Sequence, residues 1–173
     1  MSPPKVTGSR GPAASATLAT DDATRAARGA GRAIARLAKH LEHGLAPVDL
    51  SLPQYRVLAL LAEGSAASSS LADRLTVSPP SVTAVVDGLV ARDLVVRTPD
   101  ASDRRRLNLE LTGRGRELLV DADASVNERL AAIAAHLDNG DGETAISNLE
   151  DWHEGLDGYR DERREAKARQ AGR

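Results

Sequence analysis

The chain has 173 residues, of which 41% are hydrophobic and 28% are charged, and its formal net charge at pH 7 is -2. That composition is typical of one soluble globular domain with a core of its own. The lack of cysteine excludes disulfide bonds, thiolate metal sites and cysteine-based sensing of oxidants. Because the sequence has neither an apolar run long enough to cross a bilayer nor a signal-peptide core, we expect a cytoplasmic protein that has no membrane partner.

The N-terminal part divides into a tail and a helix. Residues 1 to 20 are rich in Pro, Gly, Ser, Thr and Ala and contain almost no large apolar side chain, so they are predicted to be flexible. Asp21 and Asp22 then place negative charge where it stabilises the start of a helix. Because apolar residues recur at helical spacing as far as Leu41, we predict a helix from Asp21 to about Gly44.

The end of this helix carries His40 and His43, and Glu42 and Asp49 are close to them in sequence. Two imidazoles three residues apart can lie on one side of a helix, as in some zinc sites. No third ligand is identifiable, however, and the helix dipole alone favours histidine at a helix C-terminus. We therefore expect no metal site and no other cofactor.

Three short helices are predicted between residues 50 and 91. The first runs from Leu50 to Glu63, and Ser51 is its expected cap. The second runs from Ser68 to Thr76, and a short turn leads from it into the third, from about Pro79 to Ala91. The second and third form a helix-turn-helix, in which one helix supports the other in the major groove of DNA.

The third helix has two chemically different sides. Ser78 is a candidate N-cap for it, and its large apolar residues converge on one side at helical spacing: Val82, Val85, Val86, Leu89 and Val90. The other side carries small, uncharged and hydroxyl-bearing residues, which suit close approach to a major groove. These candidate DNA-recognition residues are Ser78, Pro80, Ser81, Thr83 and Ala84.

A β-hairpin is predicted directly after this helix. Leu94-Val95-Val96 forms its first strand, and the alternating leucines from Leu107 to Leu111 give its second strand one buried face. Arginine suits phosphate oxygens and narrow minor grooves, because its planar guanidinium is always charged and weakly hydrated. The hairpin therefore predicts the basic wing of a winged helix-turn-helix, with Arg97 on its outgoing strand and four charged residues at its tip: Asp103, Arg104, Arg105 and Arg106.

Two further helices are predicted, from Arg114 to about Leu137 and from Glu143 to about Arg164. Their apolar stripes, and that of the first helix, have no other obvious partner in so small a chain, so we expect a homodimer that buries them. The predicted fold is mainly α with a small β wing. Its parts are a flexible tail (1–20), a dimerisation helix (21–46), a winged helix-turn-helix (47–112), C-terminal dimerisation helices (113–165) and a second flexible tail (166–173).

The residues of this central region resemble the MarR family of bacterial transcriptional regulators. The resemblance covers roughly residues 50 to 118 and departs from the family at Asp93, where a left-handed glycine usually follows the recognition helix. Aspartate adopts this conformation less well than glycine but better than most residues, so we expect the turn to be preserved. The matching positions are Leu52-Pro53-Gln54, Leu71-Ala72, Val77-Ser78, Ser81-Val82-Thr83, Leu89, Leu94-Val95, Arg97, Asp103-Arg104-Arg105 and Leu111-Thr112-Gly113.

The resemblance implies a homodimer, in most cases a repressor, that binds a pseudo-palindromic operator in double-stranded DNA. The two recognition helices of such a dimer read half-sites about one turn of DNA, roughly 10 bp, apart. In the family pattern Asp103 pairs with Arg105, which makes Arg105 the leading minor-groove residue. Arg97, Arg104 and Arg106 are the expected phosphate contacts.

The resemblance also implies a pocket between the dimerisation helices and the DNA-binding region. A small aromatic or phenolic acid bound there would release DNA by favouring a spacing of the two DNA-binding regions that does not fit the operator. Tyr55 is a candidate lining residue, with Arg32 or Arg36 as the partner of a carboxylate. The alternative for Tyr55 is a place in the core.

Two other classes of function remain as alternatives. An enzyme would need a convergent set of acid, base or nucleophile, and the sequence offers no phosphate loop, metal-ligand spacing or nucleophile elbow, so we do not expect one. A winged helix that binds protein instead of DNA is the stronger rival. It predicts that reversing the charge of Arg105 leaves binding of the main partner unchanged.

Overall fold

A computed structural model describes residues 12–100, 107–137 and 140–171. Six α-helices, a short 3-10 helix (Ala46–Val48) and three strands follow one another in this part of the chain. They are α1 (Pro12–Leu45), α2 (Leu52–Ala62), β1 (Ala66–Ala67), α3 (Ser68–Leu75), α4 (Pro79–Ala91), β2 (Val95–Pro99), β3 (Leu107–Leu111), α5 (Gly113–Ala134) and α6 (Gly142–Ala171). The predicted mainly α fold with a small β wing is confirmed.

The chain divides into two compact units between His40 and Leu41. The first unit consists of α1 up to His40, where Ile34 is exposed. This helix begins at Pro12, so the predicted start at Asp21 is wrong. A proline at the first helical position followed by an alanine-rich segment explains the earlier start; the predicted mobility of residues 1–11 concerns positions outside the described ones.

The second unit contains the winged helix-turn-helix around one apolar core. Its most deeply buried side chains come from the end of α1, from all three short helices and from the sheet, and include Leu45, Leu58, Leu71, Leu89, Leu94 and Leu109. Each fully buried side chain of this size stabilises the fold by about 1.5–3 kcal/mol. The core therefore fixes α4 and the wing against the same support.

The sheet has the order β1-β3-β2, and both of its pairings are antiparallel. The hairpin of β2 and β3 was predicted, but the sequence analysis missed β1, where Ala66 pairs with Leu109. Leu109 and Leu111 are buried as expected, whereas Leu107 is exposed, so the prediction of a fully buried leucine face is wrong. Leu107 lies at the tip end of β3, beyond the reach of the core.

The two C-terminal helices differ from their predicted limits at their ends. α5 ends at Ala134, and Leu137, which was assigned to its apolar stripe, lies beyond it and is exposed. α6 continues to Ala171, seven residues past the predicted end at Arg164, through a segment rich in Glu, Lys, Arg and Ala. Those residues favour helix and can form i,i+4 ion pairs such as that of Arg169 with Glu165.

Candidate DNA-binding surface

The recognition helix α4 has one buried and one exposed side. Val82, Val86 and Leu89 are fully buried against the core, and Val85 and Val90 are half-buried. All five candidate recognition residues are exposed, namely Ser78, Pro80, Ser81, Thr83 and Ala84. The structure therefore brings the predicted residues together on one free surface within the described part of the chain.

The first turn of α4 is held by backbone hydrogen bonds rather than by a side-chain cap. Ser78 occupies the N-cap position, and its carbonyl oxygen accepts from the N–H groups of Ser81 (3.0 Å) and Val82 (3.2 Å). The expected cap by the Ser78 side chain is absent; its Oγ instead lies 2.7 Å from Ser81 Oγ. Pro79 and Pro80 have no N–H group, so this first turn has fewer donors that need a cap.

Hydrogen bonds from the neighbouring helices hold the start of α4 in place. α3 ends at Thr76 in a left-handed conformation (φ 57°), and Val77 N–H donates to the Ala72 carbonyl at 3.1 Å. From α2, Arg56 Nη2 donates to the carbonyl oxygen of Leu75 at 3.1 Å. The turn between α3 and α4 is therefore tied to α2 as well as to its own helix.

The end of α4 confirms the expectation for Asp93, which is left-handed with φ 56°. The N–H groups of Asp93 and Leu94 donate to the carbonyls of Val90 and Leu89, each at 3.0 Å. This pair of bonds is the Schellman arrangement that usually has glycine at the left-handed position. Aspartate is among the few other residues that adopt it readily, so the turn into β2 is preserved.

An ion pair joins the recognition helix to the wing. Arg97 on β2 donates to the carboxylate of Asp87, which lies on the exposed side of α4. Sequence reasoning placed Arg97 toward DNA but missed this pair. Because the two residues lie on different elements, ten positions apart in the chain, no spacing rule in the sequence marks the pair.

Two side-chain hydrogen bonds join the two sides of the wing. Thr98 Oγ1 donates to Glu110 Oε1 at 2.8 Å, and Asn108 Nδ2 donates to Asp100 Oδ2 at 2.8 Å. Both bonds link β2 or the residue after it to β3, so they fix the register of the hairpin. The predicted tip residues Asp103, Arg104, Arg105 and Arg106 lie outside the described residues.

Tyr55 is half-buried between α2 and α5, and its hydroxyl donates to Asp123 Oδ1 at 2.7 Å. Burial raises the pKa of the Tyr55 hydroxyl well above its ordinary value, and the hydrogen bond and negative charge of Asp123 raise it further. Tyr55 packs against the core, as its alternative interpretation proposed. Arg32 and Arg36, its predicted companions, are exposed residues of the first unit, and a pocket made by the three stays a prediction.

A cavity of about 490 Å³ lies between the end of α2, β3 and the start of α5. Its lining residues do not include Tyr55, and sequence reasoning did not identify it. They are Leu61, Ala62, Gly64, Ser65, Glu110, Leu111, Arg116, Leu119 and Val120. The guanidinium of Arg116 donates to the Leu111 carbonyl at 2.9 Å, so its charge is held at the wall of the cavity.

Among the described residues, no group of three or more His, Cys, Asp or Glu is arranged to hold a metal ion. None of their helices is long and apolar enough to span a membrane.

Comparison with known proteins identifies the fold. The model of the MarR family matches residues 48–106. The transcriptional repressor Rv2887 of Mycobacterium tuberculosis is 34% identical to this chain over 94 residues. The matched segment covers 54% of this chain and 68% of Rv2887. The chain belongs to the MarR family. Rv2887 has also been solved in complex with p-aminosalicylic acid, at 27% identity and a TM-score of 0.61, over 73% of this MarR-family chain and 97% of that one.

Two other transcriptional regulators, FarR and CouR, are also similar to this MarR-family protein. The regulator FarR of Neisseria gonorrhoeae is 37% identical over 81 residues, 46% of this chain; the match spans little more than half, 56%, of FarR. The repressor CouR bound to a 23-mer DNA duplex is 33% identical with a TM-score of 0.60, over 70% of this chain and 86% of CouR. CouR from Rhodococcus jostii has also been solved with p-coumaroyl-CoA, at 27% identity and a TM-score of 0.60, over 73% of this chain and 87% of CouR.

Proposed function

We propose that this MarR-family protein is a homodimeric transcriptional repressor that binds a pseudo-palindromic operator and is released from it by a small aromatic or phenolic ligand. It acts in the cytoplasm, where bacterial DNA lies, and performs no catalysis. The observation that carries the proposal is the exposed side of α4, where five small residues lie opposite the buried side chains of Val82, Val86 and Leu89.

DNA binding is supported by the way α4 is held. The core, the bond from Arg56 to Leu75 and the Asp93 turn fix both of its ends. A fixed helix with a narrow exposed side can enter a major groove, whose width of about 12 Å admits one helix. The CouR duplex complex is a relative of the same fold that uses DNA as its ligand.

Dimerisation is supported by the apolar side chains that the single chain leaves uncovered on α6. Trp152, Leu156 and Tyr159 are all more than half exposed, although large apolar patches on a monomer are uncommon. A two-fold dimer would bury this side and would present two α4 helices to successive major grooves.

Release by a ligand is supported by the relatives solved with p-aminosalicylic acid and p-coumaroyl-CoA. Both molecules carry an aromatic ring and an acyl or carboxylate group. In this chain Tyr55, Arg32 and Arg36 are the proposed contacts. A ligand of this type would act by binding more tightly to the arrangement of the dimer that does not fit the operator.

Fluorescence anisotropy tests the DNA-binding proposal. The purified protein is titrated against the DNA upstream of its own coding sequence and against a scrambled duplex of equal composition, across a series of salt concentrations. We expect tight binding to the first duplex only, and an affinity that falls as salt rises, because phosphate contacts release counterions.

Two arginine variants sharpen the test. Arg105→Ala is expected to weaken operator binding by about tenfold or more, whereas Arg169→Ala removes the same charge from exposed α6 and is expected to leave it unchanged. Equal and weak binding to both duplexes would overturn the proposal and would favour a winged helix that binds protein.

A further inference from the structure

We infer that α4 recognises its operator mainly through thymine methyl groups, which Pro80, Thr83 and Ala84 contact in the major groove. The inference rests on the proposed function, because it specifies which DNA the same surface prefers. The juxtaposition that carries it is an exposed helix side with apolar groups outward and with most of its hydroxyl hydrogens bound within the protein.

The helix α4 lacks the side chains that form the strongest base-specific hydrogen bonds. Asn, Gln, Arg and Lys are the side chains that form the strong bidentate hydrogen bonds with bases in the major groove, and the sequence from Pro79 to Ala91 contains none of them. Its only charged residue is Asp87, whose carboxylate already holds Arg97.

The hydroxyl groups near the start of α4 are largely engaged within the protein. Thr83 Oγ1 donates its hydrogen to the carbonyl of Pro79 at 3.0 Å. The hydroxyls of Ser78 and Ser81 lie 2.7 Å apart and share one hydrogen bond, in which either can donate, so one hydroxyl hydrogen of this pair stays available. The other outward groups here are apolar, namely the ring of Pro80 and the methyl groups of Thr83 and Ala84, on residues that are all exposed.

The four bases differ in the chemical groups that they present in the major groove. In the major groove, thymine is the only base that presents an apolar group, its 5-methyl, whereas the edges of the other three bases present hydrogen-bond donors and acceptors. Small residues let the helix backbone come close, so that methyl groups on both sides can touch. Apolar contact then favours thymine over cytosine at the same position. The DNA-bound relative CouR shows that a protein of this fold binds duplex DNA.

The experiment uses the full chain and removes only the methyl groups. Duplexes with a randomised 24 bp centre, a length of about two turns of DNA, are selected for binding, and the tightest one is then synthesised again with deoxyuridine in place of thymidine. Deoxyuridine pairs like thymidine but lacks the 5-methyl. We expect the dissociation constant to rise about fourfold for each contacted methyl, and to stay unchanged when the substitution lies outside the footprint of the protein.

A variant of the protein assigns the effect to α4. Thr83→Ser keeps the hydroxyl and its bond to Pro79 but removes the methyl. On the thymidine duplex it should bind about fourfold more weakly than the parent protein, and substitution of deoxyuridine at the contacted position should then cost it nothing further.

Three outcomes are distinguishable. Unchanged affinity for the deoxyuridine duplex, or selected half-sites without thymine, overturns the inference but leaves the repressor proposal intact. No enrichment of any sequence overturns both. Enrichment of thymine-containing half-sites together with sensitivity to deoxyuridine supports both.

Discussion

The large apolar residues of the winged helix-turn-helix are mostly buried, whereas those of α6 are mostly exposed. In the winged region, Leu58, Leu71 and Leu89 are completely buried by other parts of the same chain. On α6, Trp152 is 66% exposed, and Leu156 and Tyr159 are 57% and 58% exposed. The DNA-binding region is therefore complete within one subunit, whereas α6 has an apolar side that a single subunit leaves uncovered.

The spacing on α6 explains why its apolar side chains form a surface. Leu149, Trp152, Leu156 and Tyr159 follow one another at intervals of three, four and three residues, so they lie along one side of the helix. Trp and Tyr are also enriched in the buried centres of protein interfaces. This difference supports the proposed dimer and can be tested from both sides.

The largest effect is expected in the winged core. Leu89→Ala removes a fully buried side chain from the inner side of α4 and leaves a cavity, so the free energy of unfolding should fall by about 3 kcal/mol. Urea denaturation followed by circular dichroism measures this fall. The same type of truncation at exposed Leu107 should change stability by less than about 0.5 kcal/mol; equal losses would contradict a core that ends short of the wing tip.

A substitution on α6 should weaken the dimer. Trp152→Ala should raise the dissociation constant of the dimer by about 30-fold or more, corresponding to the roughly 2 kcal/mol of a central interface residue. Sedimentation equilibrium over a range of protein concentrations measures it. Leu107→Ala again serves as the control, because it also truncates an exposed apolar side chain, and a Trp152→Ala protein that dimerises normally would show that another surface holds the dimer together.

The contact between α5 and the wing gives a smaller effect within the core. A Cβ atom added to Gly115 would lie 2.0 Å from the carbonyl oxygen of Leu94, so the backbone would have to shift. We expect Gly115→Ala to lower the melting temperature and to cost about 2 kcal/mol. Gly113→Ala meets open space and should be neutral; a neutral Gly115→Ala would mean that α5 and Leu94, the residue before β2, are not packed this closely.

The smallest effect concerns the bond between α2 and α5. Tyr55→Phe removes the donor to Asp123 and should cost about 1 kcal/mol at pH 7, while exposed Tyr159→Phe should cost nothing measurable. Because folding raises the pKa of Tyr55, its contribution is fully present below its ordinary pKa of 10.0 and is lost as the pH rises beyond that value. The free energies of unfolding of the parent protein and of Tyr55→Phe, measured by denaturation from pH 7 to pH 11, should therefore converge as the pH rises. A difference that stays constant over this range would contradict the bond.

Local patterns in the sequence were sufficient to predict the winged fold. The apolar periodicity of α4, the alternation in β3 and the cap at Ser51 all act within a few residues, and the capping box between Ser51 and Gln54 is present. The left-handed turn at Asp93 was predicted from the resemblance to the family, which usually has glycine there, and from the tolerance of aspartate for this conformation. Local rules are informative here because short helices and turns depend on neighbouring residues.

Features that depend on distant residues were not predictable. β1 consists of two alanines, which have no strand preference of their own and pair because β3 offers a free edge. The pairs of Arg97 with Asp87 and of Tyr55 with Asp123 join different elements, so no spacing rule marks them. The site residues of the wing tip and the ligand pocket remain predictions.

The junction at Thr112 has a mechanical consequence. This single residue separates β3 from α5; its hydroxyl accepts from Gly115 N–H at 2.9 Å and donates to the Asp93 carbonyl at 2.8 Å, and its own N–H donates to Leu94 at 3.1 Å. The wing and α5 therefore meet without a flexible linker, and the 22-residue helix acts as a rigid lever about 33 Å long. Tilting it by about 10° about this junction would move its far end by about 6 Å over that length, so a small rotation of the helix at the wing corresponds to a large displacement at its far end.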